Sequence, residues 1–88
     1  MRQIDSKYKI DDNGNLVKMD GTPIPDDEPL ILFRAKDKLT PQLIENYKKL
    51  CQEAGCPPQQ VSPLDQLIQQ FKDWQAANSD KVKVPDWD

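Results

Sequence analysis

The chain has 88 residues, with 12 Lys and Arg against 15 Asp and Glu, no His, and 36% hydrophobic residues. This is one small domain, too apolar for wholesale disorder and near the lower size at which a single core sustains a fold. A net charge of −3 argues against a DNA-binding surface, which carries a basic excess, and the abundant cations argue against a nucleic-acid mimic.

No stretch of about 20 apolar residues is present, so no membrane span is expected. Met1-Arg2-Gln3-Ile4-Asp5-Ser6 lacks the apolar block of a signal peptide, which points to a cytoplasmic location. Cys51 and Cys56 have no His and no further Cys to complete a zinc site, and are expected to be thiols that serve packing. Residues 1–6 show no period and are expected to be a flexible N-terminus. Residues 7–78 are expected to form one α+β domain, and 79–88 a tail.

Taken in order, Lys7–Asp12 and Asn15–Met19 flank Asn13-Gly14, the signal for a two-residue hairpin loop with positive φ at both positions. That loop pairs Ile10 with Val17 and Tyr8 with Met19, placing these four on one face and Lys9 and Lys18 on the other. The acidic run Asp11–Asn15 does not match a calcium loop, because its glycine comes too early and Thr22 stands where the bidentate Glu belongs. Asp20-Gly21 marks a second turn. Pro23 and Pro25 then flank Ile24 in a stiff extended connection suited to a short edge strand.

Asp26-Asp27-Glu28-Pro29 reads as a solvated acidic corner, the alternative being a patch for a basic partner or a cation. Leu30–Lys36 is the longest apolar run. It is expected to be a third strand that completes a small antiparallel meander, with Ile31, Phe33 and Ala35 toward the helices. Leu30, Leu32, Arg34 and Lys36 then form the outer row. Arg34 is expected to pair with one of the neighbouring acids, the alternative being an anion contact on the exposed face.

Leu39-Thr40-Pro41 announces a helix with Thr40 as N-cap, and Leu43, Ile44, Tyr47, Leu50, Cys51 and Ala54 form its stripe. Glu45 and Lys49 suit an i,i+4 pair, and Gly55 suits a left-handed C-terminal cap. Ser62-Pro63 announces a second helix with the stripe Leu64, Leu67, Ile68, Phe71, Trp74, so the two helices form an αα-hairpin over the sheet. Trp74 is a core or rim anchor, or part of an interface. In the tail, Lys81–Val84 alternates like a strand and Trp87 needs a contact. The tail therefore packs on the sheet edge or binds a partner.

No His, G-x-S-x-G, P-loop or G-x-G-x-x-G is present, so no catalytic, metal or cofactor residue is singled out and no enzyme is expected. The run Gly21–Pro29, followed by Phe33-Arg34-Ala35-Lys36-Asp37, resembles a motif of small bacterial and phage proteins. That resemblance implies no activity and transfers no site residue. The expected function is protein binding, as a regulator or inhibitor of a larger complex, with a phage-type anti-defence role by analogy alone. The candidate surface is Asp26, Asp27, Glu28, Leu30, Leu32, Arg34, Trp74 and Trp87. The alternatives are a homo-oligomeric structural protein closed through Leu30 and Leu32, and a nucleic-acid accessory using Lys36, Lys38, Lys48 and Lys49.

Overall fold

A computed structural model describes residues 6–86; the expectations for the first five residues and for Trp87 lie outside the described residues. The chain divides into two compact units, one running to Ile31 and one from Leu32 onward. The first holds a two-stranded antiparallel sheet and the second a pair of helices, so the α+β class stands.

In the first unit β1 (Tyr8–Ile10) pairs with β2 (Leu16–Lys18). The register differs from the expected one by a residue: Tyr8 faces Lys18, Lys9 faces Val17 and Ile10 faces Leu16. The loop is therefore Asp12-Asn13-Gly14, closed by the Asp11 N–H donating to the Asn15 carbonyl (2.8 Å) and the Gly14 N–H to the Asp11 carbonyl (3.0 Å). Only Gly14 takes positive φ, at 84°, whereas a two-residue type I′ loop would demand it of Asn13 as well. Asp11 decides between them. One carboxylate oxygen accepts the N–H groups of Asn13 (2.9 Å) and Asn15 (2.8 Å), holding a type I turn that Gly14 ends as a bulge.

The shift moves Val17 to the face opposite Tyr8 and Ile10. Val17 is buried at 3% exposure, while Ile10 and Leu16 are exposed.

The same turn recurs at once. The Gly21 N–H donates to the Lys18 carbonyl (2.8 Å), the Lys18 N–H donates to Thr22, and Gly21 has φ 89°. This folds Pro23 onto the free edge of β2, where it bridges Val17. Without an N–H, Pro23 and Pro25 cannot extend that ladder. Ile24 between them is half-buried, as an edge segment requires.

Asp20 accepts the Thr22 N–H (2.9 Å), and the Thr22 backbone and hydroxyl hold its pKa below the ordinary 3.8. A depressed carboxylate stabilises above its unfolded value, and that contribution is lost as pH falls through the folded one. An acid titration followed by NMR should therefore show the Thr22 amide responding at a pH below the ordinary carboxylate value of 3.8. Asp20→Asn should abolish the response.

The second unit contains α1 (Thr40–Glu53) and α2 (Pro58–Ala77), packed on each other. Lys48 pairs with Asp65 at 2.6 Å and Lys72 with Glu45 at 3.1 Å, pairings that run antiparallel along the two helices. Glu45 thus crosses to α2 instead of taking Lys49. The end of α1 is as expected. The Gly55 N–H donates to the Gln52 carbonyl (3.1 Å) and the Cys56 N–H to Cys51 (2.9 Å), with Gly55 at φ 77°, a Schellman cap.

The beginning of α2 is not. It starts at Pro58, leaving Ser62 and Pro63 inside the helix. Pro57-Pro58 stops α1 and also starts α2: Pro57 is extended (ψ 156°), as a residue before proline must be, and Pro58 is preorganised for the first turn. Pro63 then leaves the Gln59 carbonyl without its helical donor.

Candidate partner-binding site

The expected third strand does not form. Residues 29–34 carry no regular structure, and among the described residues no N–H of Leu30, Ile31, Leu32 or Phe33 makes a hydrogen bond. All four side chains are exposed, at 62%, 78%, 84% and 43%. Ile31, expected to face inward, is as open as Leu30 and Leu32, and Phe33, expected there too, is exposed although the least open of the four. The physical reason lies in the second turn: it places Pro23 on the edge of β2 that a third strand would need. Before this run, Asp26 and Asp27 occupy a turn closed by the Glu28 N–H on the Pro25 carbonyl (3.1 Å), and all three acids are exposed.

After the run the backbone is held at several points, from the Arg34 carbonyl to the Lys38 N–H. The Arg34 carbonyl accepts the Asp37 N–H (3.1 Å) and the Thr40 hydroxyl (3.3 Å). Thr40, at 2% exposure, therefore spends its hydroxyl on Arg34 and caps nothing; α1 has no side-chain cap. Gln75 of α2 donates its amide to the carbonyls of Ala35 (2.9 Å) and Asp37 (3.1 Å). The tail returns in parallel: the Lys83 N–H donates to the Lys36 carbonyl (3.0 Å), and the Lys38 N–H donates to the Lys83 carbonyl (2.8 Å). The tail, expected on the sheet edge, thus pairs with 36–38 of its own unit. Arg34 contributes its carbonyl; among the described residues the ion pairs are those of Lys48, Lys72 and Lys83, the last with Asp86.

The helices leave a second apolar surface. The buried side of α1 runs through Thr40, Pro41 and Cys51, with Ile44 and Lys48 half-buried, which leaves Leu39, Leu43, Tyr47 and Leu50 40% to 61% exposed. Leu43, Tyr47 and Leu50 were expected in the core. A helical stripe this wide cannot be covered by one partner helix, and α2 takes the Cys51 edge. On α2, Leu64 and Ile68 are buried, Leu67 and Phe71 half-buried, and Trp74 lies at the rim at 38%.

Of the basic residues considered for nucleic acid, Lys48 is committed to Asp65. Lys38 and Lys72 line an open groove with Gln75, Ala76, Ser79 and Val82. Among the described residues no three His, Cys, Asp or Glu side chains are grouped to hold a metal ion, and no helix is long and apolar enough to cross a membrane. Compared with known proteins, the chain matches no family model, no curated protein and no solved structure.

Gln75 and Lys83 are the residues that sequence reasoning missed. A glutamine replacing an apolar residue on the buried side of α2, one turn after Phe71, is the one signal that could have found the first. The second lies in the run Lys81–Val84, which alternates like a strand, but nothing local marks 36–38 as its partner.

Proposed function

We propose that the chain is a non-enzymatic protein-binding module that regulates or inhibits a larger complex, and that Leu30–Phe33 is its docking element. One observation carries this: four consecutive large apolar side chains stand exposed on a backbone whose N–H groups are unbonded among the described residues. The residue types are those of a strand. A strand sequence without a ladder is completed when a partner offers a sheet edge, so that main-chain hydrogen bonds supply affinity and alternate side chains supply specificity. Leu30 and Leu32 would face one side of the augmented sheet, and Ile31 and Phe33 the other. The exposed Asp26, Asp27 and Glu28 favour a partner with a basic rim.

Leu32→Pro removes one donor and disfavours extension at Ile31 little, while Ile31→Asp places a charge in the new interface. Affinity capture from the cells that express the protein, with wild type and both variants side by side, tests the reading. A partner whose recovery falls about tenfold or more with either variant supports it. An unchanged set of partners overturns it.

A second reading is favoured by Leu39, Leu43, Tyr47 and Leu50 along α1. It is a symmetric dimer closed helix to helix. Sedimentation at several concentrations separates the two, because only the dimer dissociates on dilution and is lost in Leu43→Glu.

A further inference from the structure

The two cysteines occupy the two ends of the α1 cap. Cys51 supplies the carbonyl and Cys56 the N–H of its longest hydrogen-bonded ring, at 2.9 Å, with Gly55 between them in the left-handed conformation. We propose that they form an oxidisable dithiol, a site of reversible disulfide modification built into the end of the helix.

The geometry sets the reach. With N–Cα about 1.46 Å and a carbonyl oxygen about 2.4 Å from its own α-carbon, a 2.9 Å hydrogen bond holds the two α-carbons within about 6.8 Å. Disulfides span about 4.4–6.8 Å between α-carbons. In this cap the side chains at the two positions characteristically meet. Both are thiols here. Their access differs, with Cys51 buried at 5% and Cys56 half-buried. Cys56 is therefore the entry thiol and Cys51 the resolving one.

With a low-molecular-weight disulfide such as oxidised glutathione, the exchange balances. The Cys56 thiol gives its proton to solvent, and the thiolate attacks one glutathione sulfur. The glutathione S–S bond breaks and the first glutathione thiolate leaves. The Cys51 thiolate, its proton likewise released to solvent, then attacks the Cys56 sulfur of the mixed disulfide and expels the second. Both glutathione thiolates take up protons. Two protein thiols are oxidised and one glutathione disulfide is reduced to two glutathiones. The backbone bond of the cap keeps the two α-carbons within disulfide reach throughout.

The test uses the full chain in native buffer with excess oxidised glutathione, followed by intact mass spectrometry after acid quenching. The expected product is a monomer lighter by two hydrogens, inert to iodoacetamide and restored by dithiothreitol. Cys51→Ser should stop at a persistent glutathione adduct on Cys56. Gly55→Ala, which opposes the left-handed cap, should close the disulfide about tenfold more slowly. A wild-type protein that ends as the glutathione adduct, links only between chains, or stays unmodified would overturn the proposal.

Discussion

Leu64→Ala is expected to destabilise the helical unit by about 2–4 kcal/mol, read by urea unfolding followed through far-UV circular dichroism. Leu64 and Ile68 are 5% and 7% exposed, one turn apart on α2, and Pro41 and Cys51 are the buried apolar residues of α1. So few fully buried side chains make each one count. Truncation removes the transfer free energy of the lost methyls and leaves a cavity. The half-exposed neighbours can partly collapse into it, which keeps the loss toward the lower half of that range. Stability of about 0.05–0.15 kcal/mol per residue gives a unit of this size little reserve. A midpoint unchanged within error would show that the core lies elsewhere.

Gln75→Ala is expected to cost about 1–3 kcal/mol, concentrated at the junction before α1. The side-chain amide serves the carbonyls of Ala35 and Asp37 in a part-buried site, and an apolar replacement strips the bond from Ala35 and leaves Asp37 with the Thr40 N–H alone. Hydrogen exchange locates the effect. The amides of Lys38 and Lys83, which join the tail to this segment, should exchange about tenfold faster or more, while those in the middle of α2 should change little. Gln75→Glu is the sharper control: it preserves length but offers no donor and sets a carboxylate against two carbonyl oxygens. If Gln75→Glu protects Lys38 as well as wild type does, the clasp assigned to Gln75 does not exist.

The cap of α1 shows what was legible along the chain. Gly55 followed by Cys56-Pro57-Pro58 specifies a left-handed stop with no help from elsewhere, and the hydrogen bonds at Gly55 and Cys56 agree. The turns were legible in place but not in type. Asn13-Gly14 advertises a two-residue loop, yet Asp11, by accepting two backbone N–H groups, selects the three-residue one and shifts every cross-strand pair. Type I turns favour Asp at the first position and Gly at the fourth, so the pattern Asp11…Gly14 already contained the answer.

Other features depended on partners remote in the sequence. Thr40 reads as a cap because hydroxyls at helix starts usually accept backbone N–H groups, but the Arg34 carbonyl takes its proton in a buried setting. Leu43, Tyr47 and Leu50 share a stripe with Cys51. Only the placement of α2 determines which half of that stripe is covered.

Residue order alone determined the two helices, the glycine cap and the positions of both turns, because each depends on φ preferences and hydrogen bonds within a few residues. Tertiary structure decided the rest. It put Pro23 beside β2, left Leu30–Phe33 without a ladder, and pinned Ala35–Lys38 between Gln75 and Lys83. Strand pairing and burial require a neighbour, and no local preference specifies which one arrives.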